Sequence, residues 1–242
     1  MTPRTNTNKR SCLALPSGRE IDVTVRHSQR ARRILLQVVQ ASGTVELVLP
    51  RRVSVTEGMS FVHSKARWIQ ARLDQVPPPV PFIDGATLPL LGRNLRIRHY
   101  PLLSPGARRE GREIVVGGRP EDVSRAVMQM LRAIALAEIC ERVEEMAARL
   151  GRNYRHVSVR DPVTRWGSCS AKGSLSFSWR LVLGPLHALD YVVAHEVAHL
   201  AEMNHGRRFW RLVDQLSDNS DRGREWLRLH GASLHRYGRG HA

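Results

Sequence analysis

At 242 residues the chain is long enough for one domain or two with a buried core, and 38 Lys and Arg against 22 Asp and Glu give it a formal charge of +16. It has no run of about twenty apolar residues and no apolar segment of signal-peptide type near its start, so we expect no membrane partner and a cytoplasmic location. Its three cysteines are widely spaced and form no Cys-x-x-Cys pair. This pattern argues against a disulfide framework or a cysteine zinc knuckle and suits a reducing compartment.

The first part of the chain alternates between polar and apolar residues in the manner of strands. Residues 1–18 are polar and interrupted by Pro and Gly, which predicts a disordered tail. Alternation over 21–25 predicts a strand, and the runs 34–39 and 45–49, separated by a short segment that ends in Gly43, predict a hairpin.

An amphipathic helix is predicted next, over residues 55–73, with Ser54 as its N-cap. The proline-rich run 77–81 ends it and is the clearest linker in the chain. The core candidates on this helix are Phe61, Ala66, Trp68, Ile69 and Leu73.

Three more strands are predicted near 88–91, 95–100 and 113–116. We therefore group residues 19–118 as a β-rich N-terminal region with one helix. The composition then changes, and residues 119–242 are assigned to a second, catalytic domain. The sequence leaves open whether 19–118 forms a separate domain or one wall of the catalytic one.

The second domain begins with a long helix from residue 120 or 121 to Leu150, which Gly151 should close. Strands are predicted around Val157 to Val159 and over 175–183. Helices then follow, so the whole pattern predicts an α+β fold: a long helix, a small β-sheet and a histidine-bearing helix behind a β-rich region.

The histidine-bearing helix contains His195-Glu196-Val197-Ala198-His199, an H-E-x-x-H motif. Two helical histidines four residues apart lie about 40° apart around the axis and one turn apart along it, so both imidazoles can reach one ion. Glu196 lies beside the first of them, at a distance suited to a water on the metal, and is the candidate general base. Apolar residues at spacings of three and four predict a buried stripe beside the histidines: Leu186, Leu189, Val193, Val197 and Leu200.

His205 is the candidate third ligand. Continued helix would carry it about 240° around the axis from His199, so the helix should end near Asn204. Asn204 and Gly206 tolerate left-handed conformations, and a turn there would bring His205 back. Three protein ligands with one open position are typical of a catalytic Zn²⁺ site, whereas a structural site takes a fourth.

Arginine clusters give the chain its basic charge and predict attraction to polyanions. One hypothesis is therefore non-specific nucleic-acid binding through an Arg-rich surface; the other is that these arginines only solvate the surface. The clusters are 30–33, Arg51-Arg52, Arg108-Arg109 and Arg207-Arg208.

Two stretches, 164–170 and 195–210, together closely resemble the YgjP-like metallopeptidase family, which is related to the SprT-type zinc proteases. The resemblance implies a small zincin-like core, zinc bound by His195, His199 and His205, and Glu196 as catalytic acid and base. It implies a protein or peptide substrate. The SprT relation adds the alternative of a protease that acts on DNA-bound proteins.

Several other roles near the motif stay open. The metzincin pattern is rejected because it has glycine at the position that Glu202 occupies here. The role of Glu202 stays open: it is either a ligand or close neighbour of the metal, or a solvated acid near the site. A distant glutamate as third ligand is an alternative to His205. Trp166 is a wall of the substrate groove or a packing residue, and Cys169 is interpreted as structural. The candidate oxyanion helpers are Tyr191, His235 and Tyr237.

Overall fold

The computed structural model describes residues 9–39 and 43–240, and it confirms a mixed α+β chain with several small sheets. The chain divides into two compact units, one ending at Pro78 and the other beginning at Pro79. This division falls inside the proline-rich run 77–81, which the sequence marks as the clearest linker.

A four-stranded sheet forms the first unit, in the order β1-β2-β4-β3, with β2 and β4 parallel and the other pairs antiparallel. Its last two strands confirm the predicted hairpin, whose tip at 40–42 lies outside the described residues. The strands are β1 (Lys9–Ala14), β2 (Glu20–Ser28), β3 (Leu35–Val39) and β4 (Thr44–Pro50).

The disordered tail predicted for 1–18 is wrong for the part that the structure describes. Strand β1 pairs with β2, and its Leu13 is fully buried together with Leu15 just beyond the strand. The glycine that suggested a break, Gly18, instead completes a tight turn with a φ of 80°. Residues 1–8 lie outside the described chain.

Two helices, α1 (Val55–Ser64) and α2 (Ala66–Asp74), replace the single predicted helix and cover one face of this sheet. The predicted cap is confirmed, since Ser54 Oγ accepts a hydrogen bond from the Glu57 amide at 3.1 Å. After the break, Ile69 and Leu73 occupy the buried face. Trp68, about 100° away from Ile69 around the axis, is 42% exposed, so its prediction as a core residue is wrong.

The second unit begins with another four-stranded sheet, in the order β5-β6-β8-β7. Its apolar side chains belong to the same core as the long helix that follows. This sheet therefore lies within the second unit, and the boundary predicted after residue 118 falls too late along the chain. The strands are β5 (Thr87–Leu90), β6 (Arg93–Tyr100), β7 (Gly106–Glu110) and β8 (Glu113–Gly117).

The long helix is confirmed as α3 (Val123–Leu150), preceded by one 3₁₀ turn over Pro120–Asp122. Gly151 adopts a left-handed conformation with φ 62° and ψ 38°, and its amide bonds back to the last turn, as predicted for the residue that closes the helix. Eight residues along α3 are buried, which makes it the central rod of the second unit.

A small three-stranded sheet follows, in the order β10-β11-β9, so that β10 is an edge strand. The strand predicted to reach residue 183 ends at Ser178, because Ser178 Oγ accepts from the Arg180 amide and a 3₁₀ turn begins. The strands are β9 (His156–Arg160), β10 (Gly167–Cys169) and β11 (Ser174–Ser178).

Three helices complete the unit: α4 (Leu186–Ala198), α5 (Arg207–Leu216) and α6 (Ser220–His230). A 3₁₀ turn over Gly231–Arg236 follows them. None of the described helices has the length and apolar character needed to cross a membrane.

An ion pair between the buried Arg180 and the partly exposed Asp161 ties the strand region to the C-terminal turn. Arg180, only 4% exposed, donates to both oxygens of Asp161 at 2.6 and 3.0 Å and also to the carbonyls of Leu234 and Tyr237. Burial opposes ionisation of Asp161, but the hydrogen bond and charge of Arg180 outweigh it and lower the pKa of this carboxyl.

We expect Asp161→Asn to lower the free energy of unfolding by about 1 to 2 kcal/mol at neutral pH, because it leaves the buried Arg180 charge without its partner, while solvent reaches the exposed side of the pair. The folded pKa of Asp161 is depressed, so its stabilisation is present above the unfolded pKa of about 3.9 and is lost as the pH falls through the folded pKa. Denaturant unfolding at about pH 7 and about pH 3 measures both effects. The matched control is Asp218→Asn, at an exposed position between α5 and α6; equal loss in both variants would contradict a special role for the pair.

Candidate metal and catalytic site

Helix α4 presents both motif histidines, and its Leu189, Val193 and Val197 are buried as predicted. It ends earlier than expected, at Ala198, with His199 as its C-cap rather than near Asn204. Tighter turn hydrogen bonds, such as Leu200 amide to Val197 carbonyl at 2.9 Å, replace the helical pattern there. Leu186, expected in the buried stripe, is 43% exposed at the first turn.

The chain does turn back and brings His205 to the motif. The Gly206 amide donates to the Asn204 carbonyl at 2.8 Å, which makes a three-residue turn centred on His205. Gly206 is extended, with φ −80° and ψ −175°, and neither it nor Asn204 has a positive φ, so the predicted left-handed conformation is wrong. The His205 ring lies 5.1 Å from the His195 ring and 4.8 Å from the His199 ring.

The ligand nitrogens of these three histidines lie within 4.8 Å of one another. Nε2 of His195 and Nε2 of His205 are 3.2 Å apart. Two nitrogens bound tetrahedrally to one zinc ion at about 2.0 to 2.1 Å lie about 3.3 Å from each other. The three side chains therefore suit one small metal ion. The Phe209 ring packs against all three imidazoles, with ring centres 4.6 to 4.9 Å apart.

A backbone carbonyl orients His199. Its Nδ1 lies 3.0 Å from the Glu202 carbonyl oxygen, and because a carbonyl only accepts, Nδ1 must carry the hydrogen. The lone pair is then left on Nε2, the nitrogen free to bind an ion. Glu202 thus acts on the cluster through its main chain, while its carboxylate accepts from the Asn204 amide at 3.4 Å.

His195 is held neutral by its surroundings. Burial, followed by the charges of His199, His205 and Arg224, lowers the pKa of its imidazole to about 4. Its Nδ1 is buried and has no hydrogen-bond partner within residues 9–39 and 43–240. A neutral imidazole is the form that binds a metal.

Glu196 points into a dry environment beside the edge strand β10. It is 6% exposed, and a Cβ built on Gly167 would lie 2.5 Å from its Cγ, so a glycine is needed for this approach. Burial raises the pKa of its carboxyl to about 7, and the charge of Arg165 partly opposes that rise.

Glu196 and His195 open onto a cavity of about 410 Å³. Trp166 lines this cavity and also packs on the His235 ring at 5.4 Å, and its role as a wall of a substrate groove stays a prediction. The other lining residues are Arg165, Gly167, Tyr191, Val192, Arg224, Leu227 and Arg228.

The remaining candidates separate by position. Of the three oxyanion candidates, Tyr191 lines the cavity, His235 lies 3% exposed behind Trp166, and Tyr237 offers its carbonyl to Arg180. Burial, with the charge of Glu196, raises the pKa of Cys169 to about 11, which fits the structural interpretation of this thiol.

Arg224 is a site residue that sequence reasoning missed. It lies on α6, and its guanidinium stands 5.0 Å from the centre of the Trp210 ring, which itself neighbours His195 and His205. Gly223 allows this approach, since a Cβ there would overlap the His187 carbonyl oxygen and the Tyr191 Cβ on α4. No local motif marks α6, so the sequence alone carried no signal for it.

A family model described as YgjP-like, metallopeptidase domain, matches residues 32–230. The chain therefore belongs to this metallopeptidase family, and the resemblance seen at residues 164–170 and 195–210 is confirmed. The matched span includes the three clustered histidines and Glu196. No curated protein and no solved structure gave a significant match.

We expect Gly223→Ala to lower the free energy of unfolding by about 1 to 3 kcal/mol, because its methyl group would meet backbone of α4 that has no room to move. Chemical denaturation of the purified protein measures the effect. Gly206→Ala is the control, since nothing lies within 4 Å of its added Cβ, and its change should stay within about 0.5 kcal/mol. A neutral Gly223→Ala variant would contradict the close packing of α6 on α4.

Proposed function

We propose that this protein is a zinc-dependent peptidase in which His195, His199 and His205 hold the ion and Glu196 is the general base. The observation that carries the proposal is the return of His205 to the motif histidines next to a buried glutamate at the mouth of one cavity. Membership of a metallopeptidase family supports the same chemistry.

Zinc is the ion that the donor set favours. Three imidazoles are borderline-soft ligands, and three protein ligands leave one position of a tetrahedron open, as in catalytic zinc sites. When bound, zinc polarises a peptide carbonyl and makes water easier to deprotonate.

Glu196 acts as the general base and then as the general acid. Its carboxylate accepts a proton from the attacking water while the water oxygen bonds to the carbonyl carbon of the substrate. The protonated Glu196 then donates that proton to the amide nitrogen as the C–N bond breaks, which releases an amine and a carboxylic acid; the acid then loses its proton to the amine or to solvent. Its burial beside Gly167 keeps other water away from the carboxyl during this exchange.

The edge strand β10 supplies a place for the substrate backbone. It pairs with β11 on one side and runs past Glu196 at Gly167. A peptide laid in extended form along the free side of β10 would gain backbone hydrogen bonds and present a carbonyl to the site.

The alternative function is that of a nucleic-acid-associated protein, including a protease acting on DNA-bound proteins. Its basis is the basic charge, and Arg207 and Arg208 are exposed at the start of α5 beside His205. Nucleic-acid binding stays a prediction. A cytoplasmic location also stays a proposal, which the free cysteines at 12, 140 and 169 suit.

We expect about one zinc ion per purified wild-type chain and a clear loss in His205→Ala, because that variant keeps only two of the three ligands. Metal analysis by mass spectrometry after dialysis measures the content. His156→Ala, at an exposed position on β9, is the control and should retain its zinc. A wild-type chain that takes up no zinc would contradict the proposed site.

We expect Glu196→Gln to keep its zinc and to cleave a denatured protein substrate at least about a hundredfold more slowly, because the amide takes no proton from water. Cleavage followed by mass spectrometry, with zinc measured on the same samples, separates loss of catalysis from loss of metal. Glu145→Gln, an exposed substitution on α3, is the control. Wild-type rates in Glu196→Gln would overturn the mechanism.

A further inference from the structure

Two arginines, Arg165 and Arg224, line the candidate catalytic cavity. Arg165 precedes β10 on one wall, and Arg224 lies on α6 on another. Neither forms a salt bridge to a described residue, whereas Arg228 in the same cavity is paired with Glu225 at 2.7 Å. Glu196 is the acid in the cavity lining, and it forms no salt bridge with either arginine, so both guanidinium groups are available to an anionic group of a substrate.

The position of Arg224 is built into the fold. The Trp210 face holds its guanidinium at 5.0 Å, and the close contact of Gly223 with α4 fixes the turn of α6 on which it lies. A guanidinium that lies on an aromatic ring keeps its edge free for hydrogen bonds to a planar anion.

Positive charge continues on the far side of the histidine cluster. A second groove, more open than the cavity, includes His205 in its lining together with Arg207, Trp210 and Arg211. Neither of these two arginines has a salt-bridge partner in the described part of the chain, and the acid beside them, Asp214, is bonded to Ser220. A substrate that crosses the cluster would meet arginines before and after the reacting bond.

The shape of the cavity selects the kind of anion. Its volume of about 410 Å³ suits one or two side chains, and Val192, Leu227 and Trp166 add apolar surface to the lining that contains the two guanidinium groups. A carboxylate on a short aliphatic stem matches such a pocket, and the arginine fork binds it through two hydrogen bonds. A nucleic-acid backbone would instead call for a continuous row of cations along an open surface.

We propose that the site prefers peptides with Asp or Glu beside the scissile bond, with Arg165 and Arg224 as the residues that determine this specificity. The inference rests on the peptidase function proposed above and names its substrate class.

The test compares two synthetic peptides that differ by Glu against Gln next to a cleavage site mapped with a proteome-derived peptide mixture. Zinc-loaded wild-type protein should cleave the Glu peptide with a kcat/KM about tenfold higher than the Gln peptide. In Arg165→Gln and Arg224→Gln the ratio of the two kcat/KM values should fall towards one, whatever the rate on the Gln peptide, because the ratio compares two peptides in the same variant. Arg132→Gln, an exposed change on α3 outside both lining sets, should keep the ratio.

Four results would overturn the inference. Wild-type cleavage without preference for Glu, or a preference that survives both arginine substitutions, would remove it and leave the peptidase function standing. Absence of cleavage in zinc-loaded wild type, equal to Glu196→Gln, would remove both. The fourth result comes from binding measured by fluorescence anisotropy on zinc-loaded Glu196→Gln. Tighter binding of a single-stranded oligonucleotide than of the Glu peptide, lost in an added Arg224→Gln change, would assign these arginines to nucleic acid.

Discussion

Helix α4 ends at Ala198, and the turns from His199 to Gly206 bring a third imidazole back over its last turn. The candidate site depends on this short return, because continued helix would point His205 away from the other two. The same segment supplies the Glu202 carbonyl that orients His199 and leads into α5, whose Phe209 supports the rings. One stretch of chain thus supplies the third candidate ligand, the carbonyl that orients the second, and the ring that packs against all three.

Two glycines allow the elements around Glu196 and Arg224 to pack closely. Gly167 lets the edge strand β10 approach Glu196, and Gly223 lets α6 approach α4. At both positions the neighbouring element occupies the space that a side chain on the glycine would need. The Glu196 carboxyl is therefore buried against β10, and Arg224 on α6 lines the cavity. The acid and two histidines therefore come from α4 itself, and the remaining groups come from three segments around it: the turn that follows α4, the segment before β10, and α6.

The features that sequence predicted best are set by local chemistry. Ser54 caps α1, Gly151 closes α3, and the H-E-x-x-H spacing needs only helical geometry. Strand β7 escaped prediction because its residues are polar on an exposed edge, and the division of the chain was misplaced because the β5 to β8 sheet shares its core with α3. Arg224 escaped because its role depends on how two distant helices pack, which no local pattern encodes.

All three histidines of the cluster lie within residues 195–205, while the core beneath them is formed by apolar side chains from several elements. Because that core is built from apolar side chains without the histidines, we expect the second unit to fold before an ion binds, and the bound ion to add to its stability. In the proposed peptidase, the metal-free protein would then be folded but inactive. Its activity would depend on the concentration of available zinc as well as on the amount of protein.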